Sequence, residues 1–431
     1  MLTYIRKDLT PMDFIKTPVK GMRDQLPADV RLRQHVMALI RDTYRRYGFT
    51  EIETPAMEHI ENLSNKQGGE NEKLIFKILK RGRDLEKVLE QGGTDFADTG
   101  LRYDLTVPLA RYYAANAALL PSPFKALQIG SVWRADKPQK GRFRQFTQCD
   151  IDILGDGTSL AEIELISATS EALRRIFAEV GVRGFTVHVS DRRILQAMAR
   201  YAGFAEEEFG NVFIILDKLD KIGLDGVRAE LLKAGYDEAA VEKCAAIFDQ
   251  DFAGKGPAEF CAFLGDTLDP AVPAALEQIL SCARAAAGED VTVVFDATLV
   301  RGMGYYTGTI FECTMDGYGF AIAGGGRYDK MIGKYSGTDV PACGFSIGFE
   351  RIITILGDHL AEDAFAGEEK VAILAEKGLG DEKLADLFAH AQALRAEGKT
   401  VTVQAMKKNI RRQIELLEAE GYRQIEKVYR S

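Results

Sequence analysis

WRADKPQKGRFRQFTQCDID, Trp133 to Asp152, begins and ends with the alternation of an extended strand and carries a strongly basic loop between its two flanks. The loop holds Lys137, Lys140, Arg142 and Arg144. Such a hairpin can grip a polyphosphate, because guanidinium groups offer planar forks of donors that match phosphate oxygens. Phe146 adds a flat face on which a base can stack. The residues alone equally allow a solvated basic hairpin.

Outward from this hairpin, LRYDLTVPLARYYA, ALQIGSVWRAD, RQFTQCDIDILG, VTVVFDATLV, TGTIFECTMDG and FAIAGGG read as short β-rich segments separated by turns. They do not alternate regularly with helices, which predicts an antiparallel sheet in an α+β fold. Between Asp29 and Tyr47 the apolar positions Leu32, Val36, Leu39, Ile40, Tyr44 and Tyr47 recur at helical spacing, and Gly48 marks the stop. FTEIETPAM follows, its Pro55 suited to a strand edge, where a second subunit could lie. From Asp191 to Gly288 the composition turns to Ala, Leu, Glu and Lys with helical periodicity. After Leu356 comes the polar linker GDHLAEDAFAGEE and then a βαβ pattern from VAILAE to TVTVQ. The domains expected are a catalytic body of residues 1–190 and 289–360, a helical insertion of 191–288 and a small α/β domain of 368–431.

The chain has 431 residues, 46% hydrophobic and 28% charged, enough for several cores. Its net charge of −9 argues against nucleic-acid binding through overall charge, while leaving room for a local basic face. The six cysteines show no CxxC pair or zinc-ligand spacing, which predicts reduced thiols and no tightly bound metal. No stretch of 18 apolar residues occurs, and the amino terminus lacks an apolar signal core, so a cytoplasmic protein away from membranes is expected.

The basic hairpin resembles motif 2 of class II aminoacyl-tRNA synthetases, closely that of the histidyl-tRNA synthetase family. LVRGMGYYTGTIFE, Leu299 to Glu312, is similar to a signature peptide of that family, and CGFSIGFERI, Cys343 to Ile352, resembles motif 3. GFTEIETPAM with the helix before it resembles motif 1, the family's dimer element, and KGMRD, Lys20 to Asp24, matches an amino-terminal signature. The resemblance implies ATP contacts by Arg134 (α-phosphate), Asp136 (adenine amino group), Arg142 and Arg351 (outer phosphates) and Phe146 (stacking). It implies that Arg301 joins the substrate carboxylate to the α-phosphate, with Arg134 as its catalytic partner. Asp104, Thr106 and Gln148 would surround the α-amine, Asp152 and Tyr306 would read the imidazole, and Tyr305 and Tyr328 would line the same pocket. Lys137 and Gln139 would meet the tRNA acceptor end.

Taken singly, Asp152 reads more readily as a solvated strand residue, and Tyr305 or Tyr306 as a core aromatic, than as parts of a site. Their order together with Gln148, Arg134 and Arg301 is what favours a site. Gly302, Gly304 and Thr307 lack the third glycine and the strand-to-helix context of a dinucleotide fingerprint. The family commonly has an acidic residue where this chain has Gly304. The five histidines form no cluster, which suggests structural roles.

The activity implied is that of a ligase taking histidine and magnesium-bound ATP to histidyl-adenylate, then charging the 3′ end of a histidine tRNA, as a homodimer. The family usually continues past the helix KKNIRRQIELLEAEG through more strands and a helix, so the carboxyl-terminal domain reads as shortened. That helix opens with Lys407, Lys408, Arg411 and Arg412, either an RNA contact or a solvated helix start. The alternative reading is a histidine-binding, synthetase-like regulatory subunit of ATP phosphoribosyltransferase; another is an adenylating ligase with a different acceptor.

Overall fold

A computed structural model describes residues 14–64, 73–138, 142–249, 254–300, 305–359 and 369–430. Its contacts divide the chain into two compact units, Met1–Leu356 and Gly357–Ser431.

In the first unit, β1 (Thr50–Glu51) is followed by β2 (Met57–His59), β3 (Lys77–Leu79) and β4 (Ala97–Leu101), and then by β5 (Phe124–Trp133), β6 (Gln145–Leu154), β7 (Phe185–Asp191), β8 (Val291–Phe295), β9 (Thr309–Thr314), β10 (Ala321–Arg327) and β11 (Ala342–Ile347). Eight of these form one sheet in the order β1-β5-β6-β11-β10-β9-β7-β8. Every pairing from β5 to β7 is antiparallel, as the turn-separated segments predict. Only the edge pairs β1–β5 and β7–β8 are parallel. A parallel neighbour requires a crossover, and the passage from β7 to β8 supplies one that is helical throughout its regular structure, from Arg192–Ala202 to Ala271–Ala286. Asp191 starts it by accepting the Arg193 N–H at 2.8 Å.

One face of the sheet is covered by the helix Leu160–Ala178, whose Leu165, Ala168, Ala172 and Ile176 are fully buried, and this helix packs against Pro27–Arg46. Tyr44 of the latter is buried with its hydroxyl 3.5 Å from Thr169 Oγ1. The segment FTEIETPAM yields the two-residue edge strand β1 and, past Pro55, enters the separate sheet β2-β4-β3. TVPLARYYA departs from the extended reading: Thr106–Asn116 is a helix. Asp104 accepts the Val107 N–H at 3.1 Å, Pro108 falls in the first turn where no N–H is needed, and Val107, Leu109, Ala110 and Tyr113 are buried together.

A buried ion pair secures the end of β10. Arg327 donates from Nε and Nη2 to the two oxygens of Glu162, each at 2.7 Å, and its other donors reach the Asp156 and Thr158 carbonyls. His188 is equally structural, set between Asp296 and Thr314 at 2.9 Å from each.

The second unit contains β12 (Lys370–Ala375), β13 (Thr400–Ala405) and β14 (Gln424–Val428), all parallel in the order β13-β12-β14, with helices Asp381–Ala396 and Ile410–Ala419. Alternate residues of β12 feed two small cores. Val371 and Ile373 meet Leu387, Ala391 and Leu394, while Ala372 and Leu374 meet Met406 and Leu417. The strand β14, within the closing segment YRQIEKVYRS, adds to the βαβ pattern read from the sequence. Lys407, Lys408, Arg411 and Arg412 are exposed at the helix start, which Asn409 caps by accepting the Arg412 N–H.

Glu162→Ala would remove the bidentate partner of the buried Arg327 guanidinium and leave it Asp329 at 3.2 Å, a loss that costs about 2–3 kcal/mol. Urea unfolding of the variant should show a destabilisation of that order, and a loss below about 1 kcal/mol would show the pair to be dispensable.

Candidate active site

Strand β6 alternates, so Gln148, Asp150 and Asp152 share one face while Cys149, Ile151 and Ile153 are buried on the other. The polar face borders a cleft of about 280 Å³ whose floor is completed by β10 and β11. Glycines make the floor thin. A Cβ on Gly344 would stand 1.9 Å from Asp152 Oδ1, and one on Gly325 would stand 2.0 Å from the Gly344 carbonyl oxygen. Only glycine therefore lets the Asp152 carboxylate lie across β11.

The residues singled out from the sequence converge here from five separate segments. Asp104 and Thr106, then Arg134, Asp136, Arg142, Phe146, Gln148 and Asp152, then Tyr305 and Tyr306, Tyr328, and Arg351 all contribute to the lining. In one cluster, the Arg134 guanidinium lies 5.1 Å from the Phe146 ring centre and its Nε donates to the Tyr103 carbonyl at 2.9 Å. Arg142 pairs with Asp136 at 3.0 Å, and Arg351 donates to the Ala321 carbonyl with its guanidinium over Phe320. In the other cluster, Tyr328 donates to Asp152 Oδ1 at 2.5 Å, its ring close to that of Tyr305, which in turn touches Tyr306. A side-chain hydrogen bond joins Tyr305 to Thr106. Lys137 is exposed and outside the lining. Arg301 and Gln139 lie outside the described residues.

Three side chains that the sequence reading passed over also border the cleft. Asp150 and Ser346 face each other across β6 and β11, and Glu350 precedes Arg351. Glu350 is nearly buried and receives both Nη atoms of Arg33 at 2.7 Å, the Thr147 N–H at 3.2 Å and Arg23 at 3.3 Å. It ties the helix Pro27–Arg46 to β6 and to the helix Phe349–His359. The signal for Asp150 was its alternation with Asp152; nothing local marked Glu350 as a partner of Arg33, 317 positions away.

The nearby cation is Arg134, whose charge acts on Asp104 and Asp150 without outweighing their burial. Burial pushes Asp152 up to about 7 and Asp104 up to about 6, against the opposing hydrogen bonds from Tyr328 and the Val107 N–H respectively. Burial, then the neighbouring Asp152, raises Asp150 well above the usual carboxylate range. Burial also raises the Tyr328 phenol, which keeps it a donor. Asp104 Oδ2 and Gln148 Oε1 are buried acceptors without a partner among the described residues. An unmet buried acceptor costs about 1–3 kcal/mol, so the pair favours a ligand that donates protons. Among the described residues, no three His, Cys, Asp or Glu side chains are grouped to hold a metal ion, and no helix is long and apolar enough to cross a membrane.

An antiparallel sheet flanked by helices, with arginines, a stacking aromatic and buried carboxylates in one cleft, is the catalytic architecture of a class II aminoacyl-tRNA synthetase. The model of the family described as histidyl-tRNA synthetase matches residues 21–352. A histidine--tRNA ligase of Leifsonia xyli subsp. xyli is 44% identical over 94% of each chain. The crystal structure of histidyl-tRNA synthetase from Nostoc sp. PCC 7120 superposes with a TM-score of 0.75 at 27% identity, covering 95% of this chain and 90% of that one. An ATP phosphoribosyltransferase regulatory subunit/histidyl-tRNA synthetase from Bacillus halodurans C shares the fold, with a TM-score of 0.72 at 21% identity over 96% of this chain and 98% of that one. The chain belongs to the histidyl-tRNA synthetase family.

An unfolded aspartate titrates near about 3.9, below the folded value of Asp152, so the stabilisation due to this group is complete at low pH and is lost as pH rises through about 7. Asp152→Asn, with no proton to lose, should gain stability relative to the parent from about pH 5 to about pH 8 in urea melts without ligand. A constant difference across that range would show that the carboxylate titrates in its ordinary range.

Proposed function

We propose that this chain is a histidine--tRNA ligase, and that the cleft on β6, β10 and β11 is where histidine and ATP react. The observation that carries the reading is the pair of unpartnered buried acceptors, Asp104 Oδ2 and Gln148 Oε1, beside the Asp152–Tyr328 pair and within the same cleft as Arg134 and Phe146. The acceptors suit an α-ammonium, and Asp152 suits an imidazole N–H. An amino acid lacking that N–H would leave the buried carboxylate unmet, which supplies discrimination.

ATP enters as its magnesium complex, with Phe146 stacked on adenine, Asp136 at the adenine amino group, Arg134 on the α-phosphate, and Arg142 and Arg351 on the outer phosphates. Because Arg142 pairs with Asp136, nucleotide binding parts them and gives each a new partner. The histidine carboxylate is already ionised and needs no general base. It attacks the α-phosphorus, pyrophosphate leaves, and Arg134 and Arg301 hold the converging negative oxygens. Thr106 supports the amine subsite, Tyr306 the imidazole, and Tyr305 and Tyr328 close the pocket. The adenylate is then passed to the terminal ribose of tRNA, whose acceptor end meets Lys137 and Gln139. The second unit acts as an anticodon-binding-like domain with its exposed Lys407, Lys408, Arg411 and Arg412 toward RNA, and the segment around β1 serves a homodimer in the cytoplasm.

Purified protein should exchange pyrophosphate into ATP with histidine and with no other amino acid, without tRNA. Binding of histidine with no exchange would overturn the ligase reading and favour a regulatory subunit. Asp152→Ala should raise the KM for histidine by on the order of 10–100-fold with little change in the KM for ATP, the effect of one lost hydrogen bond to a charged group. Equal losses for both substrates would remove Asp152 from imidazole recognition. Arg301→Ala should abolish most exchange while leaving the melting transition unchanged; retained activity would reject its bridging role.

A further inference from the structure

We propose that Ser346 and Asp150 are positioning residues, a two-step hydrogen-bond relay that sets which end of the Gln148 amide faces the cleft and so makes Gln148 an acceptor for the α-ammonium of the substrate. The inference rests on the reading of the cleft as the histidine site and assigns to it two residues with no role so far.

Gln148 and Asp150 lie on the same face of β6, two residues apart, and Ser346 is the direct cross-strand partner of Asp150 on β11. The Ser346 hydroxyl donates to Asp150 Oδ1 at 2.5 Å, and Gln148 Nε2 donates to Ser346 Oγ at 3.3 Å. The directions follow from the chemistry of the three groups. A hydroxyl has one proton, and an ionised carboxylate can only accept. With its proton given to Asp150, Ser346 offers Gln148 lone pairs alone, and only the NH₂ end of the amide can meet them. The direction also survives protonation of Asp150 at Oδ2, because Oδ1 keeps its lone pairs.

The opposite end of the amide, Oε1, is then held where it is buried and without a partner. A turned amide would set Oε1 against the Ser346 lone pairs and present N–H groups to an incoming ammonium, which is repulsive at both ends. Asp104 needs no such relay, since its Oδ1 accepts the Val107 N–H and its Oδ2 is left as the second free acceptor. The cleft thus holds two acceptors for one cation, each fixed from behind. Asp150 itself is 4% exposed and faces no arginine or lysine in any hydrogen bond or ion pair described, so its part is to orient Ser346 rather than to anchor a structural salt bridge.

Calorimetry with two ligands separates orientation from packing: histidine, and imidazole-4-propionate, which keeps the ring and carboxylate and lacks the amine. In the parent chain histidine should bind more tightly. Ser346→Ala and Asp150→Ala, which remove the hydroxyl and its acceptor respectively, should each weaken histidine by about ten-fold, the effect of one charge-assisted hydrogen bond, while changing the affinity for imidazole-4-propionate by less than about two-fold. Ser346→Thr, which keeps the hydroxyl, should restore histidine binding to within about three-fold of the parent. The KM for ATP in pyrophosphate exchange should not move. Equal weakening of both ligands, or no weakening of either, would overturn the relay alone. A parent chain that fails to bind histidine would overturn the functional reading and the relay with it.

Discussion

The arrangement of the candidate cleft depends on the pairing of β6 with β11. Period-two alternation sends Gln148, Asp150 and Asp152 to one side of the sheet, and the register places Ser346 opposite Asp150 and Gly344 opposite Asp152. A slip of one residue would turn the carboxylates into the packed face beneath the helix Leu160–Ala178 and bring Ile151 and Ile153 into the cleft. The register is pinned from both sides: the apolar residues of β6 have a buried helix to meet, and Gly344 alone gives the Asp152 carboxylate room. Strand pairing, helix packing and the chemistry of the site are one constraint seen from three directions.

That constraint has an electrostatic consequence. Three aspartates border one cleft, and burial raises all three above their usual range. In many proteins a buried carboxylate is answered by a fixed arginine, as Glu162 is by Arg327 and Glu350 by Arg33. Around Asp104, Asp150 and Asp152 the answers are hydroxyls and a backbone N–H, which orient without neutralising. The hydrogen-bonding capacity that remains, at Asp104 Oδ2 and Gln148 Oε1, suits a ligand that donates protons. The arginines of the same cleft are arranged around Phe146 and Phe320, ready for anions. A cleft with acceptors in one cluster and guanidinium groups in another fits the joining of an ammonium-bearing acid to a phosphate.

The rest of the fold supports this pairing at a distance. Glu350 gathers Arg23, Arg33 and the Thr147 N–H, so the helix Pro27–Arg46, β6 and the helix Phe349–His359 meet at a single carboxylate beside Arg351. The helical passage between β7 and β8 closes a parallel edge without touching the register of the central strands. The second unit builds its own two-sided core from alternate residues of β12.

Much of this was legible in the amino-acid sequence. The segments ALQIGSVWRAD and RQFTQCDIDILG marked β5 and β6 with the basic loop between them, helical periodicity marked Asp29–Tyr47, and the ordered motifs pointed to Arg134, Gln148, Asp152, Tyr328 and Arg351. The helix Thr106–Asn116 was missed because Val, Tyr, Leu and Pro read locally as extended, and only burial of one side with Asp104 at its start makes the helical form the better one. Strand β14 was missed because QIEKV is short and charged, and its extended form is stabilised by pairing with β12. The union of Glu350 with Arg33 and the facing of Ser346 and Asp150 left no local trace. The sequence by itself determined periodicity, residue chemistry and the order of motifs, since these are properties of adjacent residues. Only the tertiary structure decided which strand faces which, in what register, and which buried acceptors remain unmet, because those follow from contacts between segments far apart in the chain.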